Sequence, residues 1–326
     1  MTRPAKRITS EDVARLAGVS RTTVSFVLNN RPGQSIPEET RRRILDAAKS
    51  LQYRPHASAR ALASGRSDIV LLTVPDLPIG AGISRFVEEL AAALADNGLT
   101  LVTHLEGAHG RPVADVCAIV DASAVVGLLP FTRDAVDALH RAGAVAVLPV
   151  EAADEFKAME PVGRLQAAHL IERGHRSLGY ALPAHRGLKP MSDERLGGTA
   201  AACADAGLRP PLAITISLET PDAAAAVRQW LDQGVTGVCA FNDETAVAVL
   251  AGLRELGLTA PGDLAVIGSD DIPTARLASP PLSTISFDLH GAGLRRAQAV
   301  VAALAGHEFR EDTADPHLQV IQRGSS

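Results

Sequence analysis

Apolar residues at Val13, Leu16 and Ala17, and again at Val24, Val27 and Leu28, recur at the three-to-four-residue spacing that puts them on one face of a helix. Thr9, whose hydroxyl can meet the amide of Asp12, marks the start of the first helix, and Gly18 marks its end. Ser20 is a second N-cap, for a helix over residues 21–28 with Arg21, Thr22 and Ser25 on its outward side. Two helices joined at a glycine turn make either a helix-turn-helix or an ordinary αα-corner inside a core. A third helix has Pro37 in its first turn and Glu38 and Glu39 at the positive end of its dipole. It runs to about Gln52, burying Ile44, Leu45, Ala48 and Leu51 and exposing Arg41, Arg42 and Arg43, with residues 29–35 as the loop before it.

The pattern then changes. Pro55 forces Arg54 out of the α region and closes the third helix. Residues 58–64, SARALAS, favour helix by composition but are too short to hold one alone in water. They are either a hinge that folds on a partner or a flexible linker. In the first case Leu62 is a wedge for the minor groove with Arg60 beside it; in the second its exposure is incidental.

From Asp68 onward apolar strands alternate with amphipathic helices: strands over 69–74, 99–104, 125–129 and 145–150, helices over 83–97 and 133–141. The rhythm restarts with helices over 163–173, 193–206, 223–233 and 245–256 and strands over 177–182, 213–217, 238–241 and 264–267. Repeated β-α-β units imply two parallel sheets with helices on both faces, hence a body of two lobes.

Charge divides the chain in the same place. Residues 1–66 carry thirteen Lys and Arg against five Asp and Glu, a net of +8, so residues 67–326 carry −13 of the total of −5. A basic head on an acidic body selects the helix-turn-helix over the corner and points to a polyanion held by the head, with Arg21 and Thr22 at the base edges of a major groove. Cys117, Cys203 and Cys239 are widely spaced, with no CxxC, and are expected to be reduced and buried. The N-terminus is polar and basic and no run reaches membrane-spanning length, so a cytoplasmic protein without a membrane partner is expected. No leucine heptads follow residues 317–322, so no coiled-coil tetramer is expected.

In open α/β sheets ligands sit outside the carboxyl ends of the strands. The polar residues placed there are Asp76, Asn242, Asp243, Glu244, Asp270 and Asp271, with Arg195 at a helix start able to face the same rim. These groups suit a ligand with hydroxyls or an anionic group; capping or turn formation is the competing role for each carboxylate. GxSxG, HExxH, Walker and strand-following GxGxxG patterns are absent, and the ten histidines are scattered, so neither an enzyme nor a cofactor is expected.

The order of head, hinge and two-lobed body, with DVARLAGVSRTTVSFVLN, YRPHASARALASGRS, HLIERGH, FNDETAVAVLAGLRELG and VIGSDDIPTARLASPPLSTI, resembles LacI-family transcriptional regulators over essentially the whole length. The resemblance implies a helical DNA-binding head over residues 1–57, a hinge helix over 58–66 and a periplasmic-binding-protein-like body over 67–326. Lobe 1 would take 67–156 and 284–311, and lobe 2 would take 157–283 and 312–326. It also implies a homodimer on a pseudo-palindromic double-stranded operator. Arg21 and Thr22 would read bases, Ser20, Thr23 and Asn29 would meet the backbone, Ser25 would face the DNA beside them, and Leu62 becomes the wedge. Phe26 stands where the family usually has an arginine that can read guanine, so this position offers apolar contact instead. Arg195, Asn242 and Asp270 would hold the effector's hydroxyls, with Asp243 supporting them from behind or capping the next helix; Asp76 after the first strand and Phe131, an aromatic on which a ring could stack, complete the effector-site candidates. A sugar or sugar derivative is the first expectation for the effector. Two departures count against it: PDLPIGAGISRF lacks the Asn-Pro-aromatic signature, and Ala158-Met159 replaces an Asp-Asn pair. A solute-binding protein or a sugar-processing enzyme on the same fold is the alternative.

Overall fold

The computed structural model describes residues 8–28, 36–53, 66–107, 110–150, 159–307 and 317–326. Asn29, Arg60 and Leu62 lie outside the described residues, as do most of the expected hinge and the stretches around 157 and 312 where the chain is expected to cross between lobes.

Three helices form the head: α1 (Ser10–Ala17), α2 (Arg21–Leu28) and α3 (Glu38–Ser50). The cap of α1 is a full capping box, with Thr9 Oγ1 accepting from the Asp12 amide and Asp12 Oδ2 accepting from the Thr9 amide. Gly18 closes α1 in the left-handed region at φ 65°. Val13, Ala14, Ala17, Val24, Val27, Ile44 and Ala47 make the core of the head. Leu16 and Leu45, expected inside, are 56% and 48% exposed. Each lies about 100° round its helix from the stripe that is buried, and Ala14 and Ala47 occupy the inner positions instead.

The body has two four-stranded sheets of the same topology. β1 (Ile69–Val74), α4 (Ala81–Asp96), β2 (Thr100–Leu105), α5 (Val113–Val120), β3 (Ala124–Phe131), α6 (Arg133–Arg141) and β4 (Ala146–Val150) build the first, in the order β2-β1-β3-β4. All its neighbours are parallel, with Val70 facing Leu101 on one side and Ala124 on the other. α7 (Glu160–Glu172), β5 (Leu178–Pro183), α8 (Lys189–Asp205), β6 (Leu212–Ile216), α9 (Thr220–Asp232), β7 (Gly237–Ala240), α10 (Asp243–Glu255) and β8 (Ala265–Ile267) build the second, in the order β6-β5-β7-β8, again parallel. The sequence pattern misses α5, which begins after Pro112 and ends at Asp121 in the left-handed region, where a glycine would have signalled the stop.

After β8 the chain runs through β9 (Thr284–Ser286) into α11 (Leu289–Leu304), which lies along α4 with Gly293 against Glu89 and Leu90. β10 (Gln319–Ile321) pairs antiparallel with β9. Beyond it the Val266 amide donates to Ser325 O at 2.8 Å, joining the end of the chain to the second sheet. Trp230 is fully buried and donates from Nε1 to Leu212 O at 2.9 Å, a core role rather than a stacking one. The three cysteines are free thiols and buried.

Candidate functional site

Two regions carry the chemistry. On the head, Ser20 Oγ accepts the Thr23 amide at 3.1 Å and lies 2.8 Å from Thr23 Oγ1, fixing the first turn of α2. That turn presents Arg21 and Thr22 to solvent, while Thr23, Ser25 and Phe26 are half-buried on its flanks. The geometry suits insertion of the N-terminal end of α2 into a major groove.

In the body, a cleft of about 280 Å³ opens between the carboxyl ends of the two sheets. Leu77, Pro78 and Gly80 follow β1, Leu128 and Leu129 belong to β3, and Ile83 and Phe86 come from the first turns of α4. Facing them are Leu188 after β5, Phe241 and Asn242 after β7, and Asp270 after β8, with Met191 and Arg195 from α8. This is the crevice the strand order requires.

Arg195 is the centre of the polar side. It is 5% exposed; its guanidinium donates to Phe241 O from Nη1 and stacks over the Phe241 ring at 4.6 Å and the Phe287 ring at 5.6 Å. Its Nη2 stands 3.6 Å from Asp270 Oδ1, an ion pair too long for a hydrogen bond. Burial pushes the Asp270 carboxyl above its usual value, and Arg195 opposes that shift. Asn242 caps α10, accepting the Thr245 amide at 2.9 Å, and its amide nitrogen reaches Glu244 Oε2 at 3.4 Å.

Arg195, Asn242 and Asp270 thus meet in the cleft, whereas Asp76, Phe131 and Asp243 are not among its lining residues. Asp76 is exposed, and its backbone carbonyl, not its carboxylate, packs against Gly187. A register shift between Val126 and Phe131 turns the Phe131 ring onto Gly127 and into the core with Leu71, Cys117 and Leu139. Asp243 is fully buried behind the cleft; its carboxylate accepts from the Ile272 amide at 2.9 Å and Thr284 Oγ1 at 2.5 Å. Burial pushes its pKa up to about 7 against those hydrogen bonds. Sequence reasoning missed Phe287, Arg296 and Met191 as lining residues. Phe287 and Arg296 come from the segment after β9 and from α11, so neither follows a strand of the parallel sheets, and an apolar side chain such as Met191 gives no signal of its own. His169 and His175 are structural, bonded to Ser326 Oγ at 2.8 Å and Thr236 Oγ1 at 3.0 Å, and burial lowers both their pKa values.

The family model of bacterial regulatory proteins of the lacI family matches residues 9–56, and that of the periplasmic binding protein-like domain matches residues 167–326. The HTH-type transcriptional regulator GalR of Escherichia coli is 30% identical over 323 residues, spanning 94% of this chain and 92% of its own. The chain belongs to the lacI family. The HTH-type transcriptional repressor PurR of Photobacterium profundum is similarly close, 31% identical over 333 residues, with 96% of this chain and 97% of its own covered. The Lac repressor dimer bound to operator and an anti-inducer superposes with a TM-score of 0.80 at 22% identity, covering 98% of this chain and 99% of its own, and so shares the fold. As a lacI-family member the protein is a DNA-binding transcriptional regulator under small-molecule control, not an enzyme. Among the described residues no helix is long and apolar enough to cross a membrane.

Proposed function

We propose that this regulator is a repressor that binds a pseudo-palindromic operator as a homodimer, one head on each half-site, and that a small molecule in the inter-lobe cleft sets its operator affinity. The observation that carries the DNA half of the reading is the exposed first turn of α2, where Arg21 and Thr22 stand on a rigid, capped helix start. Arg21 reads a base edge bidentately, Thr22 a neighbouring one, and Phe26 makes apolar contact such as that to a thymine methyl. Ser20, Thr23 and Asn29 hold phosphates, Ser25 faces the DNA beside them, and Arg60 and Leu62 act in the minor groove at the operator centre. Arg195, Asn242 and Asp270 are the effector contacts. Because the cleft lies between the lobes, a ligand that favours their closed arrangement shifts the spacing of the two heads, and effector and operator affinities become linked and reciprocal.

Selection of bound fragments from random double-stranded DNA by the full chain tests this. The expected product is an inverted repeat whose half-sites lie about one or more helical turns apart. Enrichment of a single asymmetric half-site, or of no sequence at all, would refute the dimeric-operator reading.

A further inference from the structure

The cleft is divided by polarity along the boundary between the lobes. Its lobe 1 wall is formed by Leu77, Ile83, Phe86, Leu128 and Leu129. Among the described lining residues of that wall Arg296 is the one ionisable side chain, and its Nη1 already donates to Gly127 O at 3.2 Å. The hydrogen-bonding groups gather on the lobe 2 floor: Arg195, Asn242, Glu244 and Asp270. Even there Met159, Met191 and Leu188 take up part of the surface.

A sugar carries hydroxyls around its whole ring. Those turned to the floor would find partners, but most of those turned to the lobe 1 wall would leave water for aliphatic and aromatic carbon, with Arg296 the one ionisable side chain among the described residues of that wall to meet them. A ring with an apolar face makes the opposite exchange, gaining contact with Phe86, Leu128 and the thioethers, which pack well on aromatic edges. The cleft as a whole is balanced in charge, with Arg195 on the floor and Arg296 on the wall against Glu244 and Asp270 on the floor. A net charge on the ligand would itself enter a cleft whose charges already balance, without a counterpart of its own.

We propose that the effector of this regulator is a neutral, ring-bearing and largely apolar molecule with its hydrogen-bonding groups confined to one edge, which meets Arg195, Asn242 and Asp270 while the rest packs on the lobe 1 wall. The inference rests on the cleft being the effector site. Ile83 and Leu128 are the specificity-determining residues on the wall, and the volume of about 280 Å³ limits the ligand to a compact one.

The test titrates the full-length chain with N-phenyl-1-naphthylamine, a neutral aromatic probe with a single N–H donor, and in parallel with D-galactose. The expected result is one saturable probe site per chain with blue-shifted emission, weakened at least tenfold in Ile83→Gln and in Leu128→Gln. D-galactose at millimolar concentration is expected neither to displace the probe nor to raise Tm. Both variants are checked for wild-type circular dichroism and cooperative thermal unfolding, so that a misfolded one is recognised and the other decides. Absence of a saturable probe site overturns the inference, as does probe binding that survives both substitutions. Stabilisation by D-galactose with displacement of the probe overturns the apolar class but leaves the cleft as an effector site. Probe bound in the cleft with operator affinity unchanged retains the ligand class and overturns control through the cleft.

Discussion

Asn242 and Asp243 are adjacent in FNDETAV, and the backbone sends them to opposite sides of a strand end. Asn242 is the N-cap at the cleft; Asp243 is the first helical residue and points back into the protein. From the residues alone both read as polar groups after a strand; the family resemblance separates their roles, and the cap geometry shows that Asn242, not Asp243, is the N-cap. Phe131 and Phe287 fail to be told apart for a similar reason, since a phenylalanine at a strand carries no mark of which sheet face it will take. Arg195 and Asp270 were legible because an arginine in the helix after β5 and a carboxylate after LAVIGS both fall at the carboxyl ends of the second sheet's strands, although α8 starts at Lys189, so Arg195 is not at the helix start the pattern suggested. Asp243 sets a pH dependence. Its folded value of about 7 stands above the ordinary 3.8, so between those values the folded chain holds a proton that the unfolded chain has released. Its contribution to stability is therefore greatest below about pH 4 and is lost as pH rises to about 7. Urea unfolding at pH 5 and pH 7.5 should show wild type losing stability relative to Asp243→Asn across that interval; an unchanged difference would mean the carboxyl is ionised throughout. On the head, Arg21→Ala should cost roughly 1–3 kcal/mol of specific binding and relax preference at one base position, read by anisotropy against matched and mismatched operators.

α7 and α8 cross at closest approach through glycines. A Cβ on Gly163 would stand 1.7 Å from Arg195 O, and one on Gly198 would stand 1.9 Å from Glu160 O. The carbonyl that excludes a side chain from Gly163 belongs to the residue whose guanidinium organises the cleft, so this packing sets the position of Arg195. Gly163→Ala should push the helices apart, destabilise the fold by about 1–3 kcal/mol, and weaken binding of cleft ligands while leaving the head competent for non-specific DNA. Chemical denaturation and ligand titration check the two effects separately. Neither glycine is conspicuous in the sequence, because close helix packing depends on a partner far along the chain. The alternation of strands and helices in the two parallel sheets was largely legible, since their strands are apolar runs bounded by a glycine or polar turn. α5 was not, because Asp121 ends it with the backbone conformation a glycine usually supplies.

The whole molecule joins a head of net charge +8 to a body of −13. DNA approaches such a chain from one end, since the body repels what the head attracts. Removal of residues 1–66 should abolish operator binding and leave ligand binding in the cleft intact; loss of both would mean that the body does not fold without its head. In the intact chain, log affinity for DNA should fall linearly with log salt, at a slope near about 0.9 per phosphate neutralised, and each Lys or Arg removed from the head should reduce that slope. The split polarity of the cleft bears on how the two lobes communicate. A molecule that satisfies only the lobe 2 floor, such as a small polar fragment, can occupy the site without drawing the apolar wall onto itself, and so gives the protein no reason to prefer one arrangement of its lobes. It would act as an antagonist, blocking a true effector without mimicking it. On the proposed reading of the cleft, a ligand with two chemically different faces serves as the bond between its two chemically different walls.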